Sequence, residues 1–232
     1  MATRVKWLGH SGFVITSSGG QISVIDPWLT DNPLGTVNVK DIKVANLILV
    51  THDHFDHNSD VVEIANNTGA TVVAQPELEG KFRDEFGLPA SQILLGTGMN
   101  IGGTVTVDGV SVTMTEAVHS STAGSPCGYV VKLEDGTTIY HAGDTGIFAG
   151  MSLIGELYPL DLALLPIGSV FTMDARQAAK AVSLLKPRRV IPMHYRTFPI
   201  LAQSAGEFVS LAKKQAPGVE IITLDPGQEY VL

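Results

Sequence analysis

The sequence predicts an α/β chain built as two sheets flanked by helices, and three observations lead there. Short β-prone runs separated by glycine-rich turns dominate the first third of the chain, two hairpins follow, and strands then alternate with helices to the end. No linker, repeat or low-complexity stretch divides the 232 residues, so 1–232 is expected to form one domain.

The elements follow in order. Thr3–Leu8, Gly12–Thr16 and Gln21–Ile25 are brief β-prone runs parted by Gly-His-Ser-Gly and Ser-Ser-Gly-Gly turns. Leu47–Val50 is a continuous apolar strand, and Ser59–Asn67 reads as a helix capped by Ser59 or Asn58. Thr71–Ala74 is a strand and Pro76–Phe86 a helix. Thr104–Val107 and Val110–Thr115 meet across Asp108-Gly109 as a hairpin, and Gly128–Leu133 and Thr137–Tyr140 meet across Glu134-Asp135-Gly136 as a second. Helix near Phe148–Leu157, strand Leu160–Leu165, helix Asp174–Leu185, strand Arg189–Pro192, helix Ser204–Gln215 and strand Glu220–Leu224 complete the alternation.

Composition narrows the function classes. At 44% apolar residues the chain can fill a substantial core, and a net charge of −8 speaks against a general nucleic-acid surface. One cysteine, Cys127, permits no intramolecular disulfide, which suits a reducing compartment. The first residues lack the apolar core of a signal peptide, and no apolar run reaches the ~18 residues that a spanning helix needs. The expectation is a cytoplasmic protein that works on a small molecule without nucleic acid or membrane, as a monomer or a homo-oligomer.

The stretch Thr51-His-Asp-His-Phe-Asp-His57 concentrates the chemistry. Three imidazoles and two carboxylates directly after a buried strand are costly unless something positive sits there. His52 and His54, two apart, point the same way along extended backbone and can reach one metal ion. Asp56 and His57 come where the chain turns into the helix and can face a second ion. One loop leaves coordination positions open, so further ligands are expected at other strand ends. His119 ends the strand Val110–Val118, Asp144 follows the strand Thr137–Tyr140, and His194 follows Val190–Met193. A carboxylate such as Asp144 is able to bridge two cations, which a neutral imidazole is not.

These residues, with Trp7-Leu-Gly-His-Ser-Gly12, Asp26-Pro-Trp28, Tyr140-His-Ala-Gly-Asp-Thr-Gly146, Leu165-Pro-Ile-Gly168 and Pro192-Met-His-Tyr195, resemble the signature of the metallo-β-lactamase superfamily. Within it the chain is similar to the branch of ascorbate-6-phosphate lactonases and N-acylphosphatidylethanolamine phospholipases D, and most of all to proteins known only as metal-dependent hydrolases. The resemblance implies a four-layer αβ/βα sandwich with the site at one edge. It implies two divalent ions, zinc first, with manganese or iron as alternatives. His52, His54 and His119 would hold one, Asp56, His57 and His194 the other, and Asp144 would bridge them. A hydroxide between the ions would be the nucleophile on a small ester, lactone or phosphodiester, and Asp56 would double as a catalytic proton acceptor.

A di-iron redox protein on the same fold and a metal-binding protein without turnover are the alternatives. The first is disfavoured by His54, which stands where related oxidoreductases carry an acidic residue. Beyond the ligands, His10 and His141 are either hydrogen-bond partners of the ligands or structural histidines. Asp26 either orients a ligand or stabilises its turn. Specificity is expected from the loops 120–126, 170–173 and 195–199, with Thr172, Tyr195 and Arg196 meeting a compact anionic substrate such as a sugar phosphate. Little in the sequence suggests room for a long apolar chain.

Overall fold

The computed structural model describes residues 1–232. Five strands build most of a first sheet: β1 (Arg4–Gly9), β2 (Gly12–Thr16), β3 (Ile22–Ile25), β4 (Leu47–Leu49) and β5 (Thr71–Val73), adjacent in that order. β1 to β3 pair antiparallel through tight turns. β3, β4 and β5 pair parallel, which demands crossovers, and the second of these carries α1 (Phe55–Asn58) and α2 (Val61–Thr68). α3 (Pro76–Asp84) follows β5.

The second sheet repeats that plan. β6 (Thr104–Val107), β7 (Val110–Glu116), β8 (Cys127–Lys132) and β9 (Thr138–His141) run antiparallel, then β10 (Leu162–Pro166), β11 (Arg189–Met193) and β12 (Glu220–Ile221) continue parallel. Their crossovers carry α4 (Met151–Leu157), α5 (Ala175–Leu185) and α6 (Gly206–Gln215). A last strand, β13 (Glu229–Val231), returns to the first sheet and pairs with β1.

Alternation along the strands sorts the apolar residues into layers. In β4, Leu47 and Leu49 face the central core between the sheets, while Ile48 and the following Val50 face outward with Ile64 of α2 and Leu78 and Phe82 of α3. On the other side, Ala178, Val182 and Leu185 of α5 and Phe208 of α6 cover the second sheet. The result is the expected αβ/βα sandwich of four layers. No helix is long and apolar enough to cross a membrane.

Some local expectations need correction. The helix expected over Ser59–Asn67 is α2, Val61–Thr68, preceded by the separate turn α1, and its cap is neither Ser59 nor Asn58. Asp60 stands at the N-cap of α2, and its carboxylate is taken by the backbone N–H of Leu29 (2.6 Å) and Thr30 (3.0 Å). Asp56 and His57 thus lie inside a helical turn that begins at Phe55, earlier than expected. The strand expected to run to Val118 stops at Glu116, because Val118 turns aside to accept from Gly146 N–H (2.9 Å) and donate to Thr145 Oγ1 (2.9 Å). β13 was not anticipated. Three residues, two of them exposed, carry too little pattern to announce a strand.

Candidate metal centre

Parallel strands deliver their carboxyl ends to one edge of the sandwich, and the candidate ligands arrive there by different routes. The loop after β4 brings His52, His54, Asp56 and His57. The β7–β8 connection brings His119, the end of β9 brings Asp144 and the end of β11 brings His194. His52, His54 and His119 come together as one set, His52, His57 and Asp144 as a second, and His10, Asp56, His57 and His194 as a third, with donor atoms in each set within 4.8 Å of one another. All seven predicted ligands therefore converge, and His10 joins them.

Asp144 occupies the middle. Its Oδ2 lies 2.9 Å from His194 Nε2, 3.4 Å from His57 Nε2 and 3.7 Å from His119 Nε2. Burial alone raises a carboxyl, but the His194 and His57 rings outweigh it and hold Asp144 well below the usual carboxylate range. Burial, assisted by the charge of His57, keeps His52 well below the ordinary imidazole range and thus in the neutral form that a metal requires.

The surrounding contacts aim the rings. Asp26 accepts from Thr51 N–H (2.8 Å), Thr51 Oγ1 (2.7 Å) and His57 Nδ1 (2.7 Å). It therefore both stabilises the turn and orients a ligand, leaving His57 Nε2 directed inward, fully buried and without a hydrogen bond. His52 Nε2 and His54 Nδ1 face each other at 2.8 Å. An orphaned buried nitrogen and two ring nitrogens turned on the same space are what a cation-binding donor set requires, and the mixture of imidazoles and carboxylates suits zinc, iron or manganese. The residues fit a metal centre.

His10 sits at the β1–β2 turn with φ of 53°, a conformation that non-glycine residues seldom adopt. Its carbonyl accepts from Trp7 Nε1 (2.9 Å) and from His194 N–H (2.9 Å), so one backbone oxygen ties the two sheets together. Its ring lies between Thr197 Oγ1 (2.7 Å) and Asp56 Oδ2 (3.0 Å). Burial and the nearby His194 lower its pKa to about 4, so the neutral ring accepts from Thr197 and donates to Asp56. His141 is braced differently. Its Nε2 donates to Ser11 carbonyl (2.9 Å) and its Nδ1 accepts from Gly143 N–H (3.1 Å), which spends both nitrogens on shaping the turn into Asp144. Two glycines permit this packing. A Cβ on Gly143 would lie 2.3 Å from the Cys127 carbonyl, and one on Gly168 would lie 2.2 Å from that of His194.

Three expected substrate contacts are not brought to the cluster. Tyr195 is buried and stacked on Trp7, ring centroids 5.4 Å apart. Arg196 pairs with Asp225 (3.4 Å) in a separate groove formed with Ser204 and Thr223. The Thr172 hydroxyl turns to the Met173 carbonyl (3.5 Å). With no Lys or Arg side chain among the residues lining the space over the candidate ligands, the anionic-substrate expectation loses its main support. Of the three expected loops, 170–173 supplies Phe171, 195–199 supplies Phe198 and 120–126 supplies Ser120 to the space over the candidate ligands. A cavity of about 580 Å³ opens over the ligands, walled by Phe55, Phe171, Phe198 and Ile200.

Asp53 also escaped sequence reasoning. Lying between His52 and His54, it points the opposite way and accepts from Lys81 Nζ (2.8 Å) and Thr122 Oγ1. It fastens the metal loop to α3 and to the segment that carries His119. The alternation that aligns the two histidines is the signal that sends Asp53 to the other side. Thr197, by contrast, left no sequence signal.

A model of the β-lactamase superfamily domain matches residues 23–195, a span that holds every candidate ligand except His10. The chain belongs to the metallo-β-lactamase superfamily. Over its whole length it is 48% identical to a UPF0173 metal-dependent hydrolase of Nitratidesulfovibrio vulgaris (strain DP4), 96% of which is covered. A solved metallo hydrolase from the hyperthermophilic archaeon Ignicoccus hospitalis KIN4/I matches with a TM-score of 0.90 and 37% identity, over 100% of this chain and 99% of that one. These relatives place this superfamily member among the metal-dependent hydrolases. A diiron β-hydroxylase from Streptomyces venezuelae matches with a TM-score of 0.78 at 15% identity and is covered over 54% of its length, a likeness of metallo-β-lactamase fold alone. The fold therefore does not choose the metal.

Proposed function

We infer that the chain is a dinuclear hydrolase that cleaves a small ester, lactone or phosphodiester. One observation carries the reading: Asp144 Oδ2 stands within 3.7 Å of three imidazole nitrogens, between the two sets of ligands. His52, His54 and His119 would hold one ion, Asp56, His57 and His194 the other, with Asp144 shared. When bound, two divalent ions supply a nucleophile drawn from water near neutral pH, by lowering its pKa from ~15.7 to about 7, and polarise the scissile oxygen.

The chain's own residues do the rest. Asp26 accepts from Nδ1 of His57 and so fixes the orientation of its ring. His10, held by Thr197, donates to Asp56 Oδ2 and sets the plane of that carboxylate. Burial raises Asp56, but the His10 hydrogen bond and the charge of His57 outweigh it and hold the carboxyl well below its usual range. Asp56 lines the cavity, which supports a second role for it as proton acceptor in hydrolysis.

Elemental analysis of protein purified without chelator tests the reading. Two equivalents of zinc, manganese or iron per chain are expected, with hydrolysis lost on chelation and restored by metal. One equivalent at saturation contradicts the dinuclear assignment. Two equivalents with no turnover across an ester, lactone and phosphodiester panel, or with oxidase chemistry instead, contradict the hydrolytic one.

A further inference from the structure

We propose that the substrate of this site carries a neutral, apolar group of about phenylalkyl size beside its scissile bond, and that Phe55, Phe171, Phe198 and Ile200 bind that group. The proposal rests on the hydrolytic reading above and narrows it to carboxylic esters or lactones with an apolar acyl side.

Two features of the cavity select this class. None of its ten lining residues is lysine or arginine, and Arg196, the nearest candidate in sequence, is paired with Asp225 elsewhere. A phosphate or sulfate distal to the metals would find no cationic fork or ammonium to receive it. The net charge of −8 does nothing to favour one at longer range.

The apolar wall, in contrast, is exposed and held in place. Phe55, Phe171 and Ile200 are 61%, 53% and 60% exposed, although a folding chain gains nothing from leaving them so. Two of the rings are anchored from behind. Phe55 meets buried Trp28 edge-on at 5.5 Å, and Phe198 stacks on the same indole at 5.7 Å, while also meeting His10 edge-on at 5.7 Å. Trp28 follows Asp26-Pro27, the segment that aims His57, so the wall and the ligands share one support. Aromatic surface fixed this way binds an apolar group with little ordering cost. The cavity, about 580 Å³, takes a group of roughly ten heavy atoms.

Calorimetry on zinc-loaded full-length protein tests this without turnover, using 4-phenylbutyrate against acetate as probes. Both offer one carboxylate, so a difference reports the wall. Phenylbutyrate is expected to bind at least roughly tenfold more tightly, and the double variant Phe198→Ala, Ile200→Ala is expected to erase the preference while zinc content and circular dichroism stay unchanged. Should that variant fold poorly, Phe171→Ser, whose ring stacks on no aromatic neighbour, is expected to lose part of the preference. In parallel, kcat/KM for a methyl ester with a phenylalkyl acyl group should exceed that for one of equal length ending in a phosphate. Equal affinities for the two carboxylates, or a preference that survives both variants, overturns the proposal, as does faster cleavage of the phosphate-bearing ester. If phenylbutyrate binds tightly through the wall yet no ester is cleaved, the wall stands and the hydrolytic reading falls.

Discussion

The two sheets follow one plan, antiparallel then parallel, but they supply the metal centre in opposite ways. The first sheet concentrates four candidate ligands on the single loop that follows β4, with Asp26 and Asp53 fastening that loop from its two sides. The second sheet contributes His119, Asp144 and His194 from three separate connections, each set by its own backbone turn. A clustered half is oriented by a few short-range hydrogen bonds. A distributed half depends on how whole strands are packed, and on close approaches such as that of Gly168 to His194. The difference teaches that damage to the first half should be local and graded, whereas damage to the second should undo both ion positions together.

The sharpest break of that comparison is at Asp144. Asp144→Asn removes the one negative charge that faces three imidazoles, and turnover should fall by roughly 10³-fold or more with loss of at least one metal equivalent. Elemental analysis beside kinetics checks it; retention of two ions at full activity would deny Asp144 its shared role.

The next effect lies behind the clustered half. Glu79 of α3 is buried, accepts from Ala74 N–H (3.0 Å) and is raised by burial from 4.5 to about 8. A raised carboxyl stabilises the fold fully below its unfolded pKa, and that contribution is lost as pH climbs through the folded one. Between pH 4.5 and about 8 this group should cost the wild type on the order of 5 kcal/mol. Glu79→Gln should therefore flatten the decline, melting well above the wild type at pH 9 and near it at pH 5. Parallel melting curves across that range would contradict the assignment.

A smaller and more local effect is expected at Asp26. Asp26→Asn cannot accept three hydrogen bonds as strongly, so His57 loses its orientation and metal affinity should drop by about 10–100-fold. Competition with a chelator of known affinity measures it. A loss confined to one ion would support local, graded damage; loss of both would erase the contrast between the halves.

The smallest effect is at Arg196. Its ion pair with Asp225 is partly exposed and lies in a separate groove, so Arg196→Ala should change kcat/KM less than about twofold for neutral and anionic esters alike. A selective loss on the anionic ester would return Arg196 to the substrate.

Legibility followed the same division. The local run Thr51–His57 announced its chemistry through composition and spacing, and the ends of β9 and β11 could be placed because apolar strands of four or five residues are visible as such. The two hairpins were legible from Asp108-Gly109 and Glu134-Asp135-Gly136, where turn chemistry is local. β13 was not legible, since an edge strand of three residues is defined by its partner β1 rather than by its own pattern. The helical turn at Phe55 was missed for a related reason: loop contacts to Asp60 made 30 residues earlier help decide where α2 begins.

By itself, then, the sequence determined most of the strands and helices, the αβ/βα class and the seven candidate ligands that converge, because periodicity and ligand chemistry are properties of neighbouring residues. Only the tertiary structure decided that Asp26 aims His57 and His10 aims Asp56, that Arg196 is spent on Asp225, and that Phe55, Phe171, Phe198 and Ile200 wall the cavity, with no cation among its lining residues. Those outcomes depend on which groups meet across the two sheets. A side chain's partner is chosen by the packing of distant strands, and no local pattern records it.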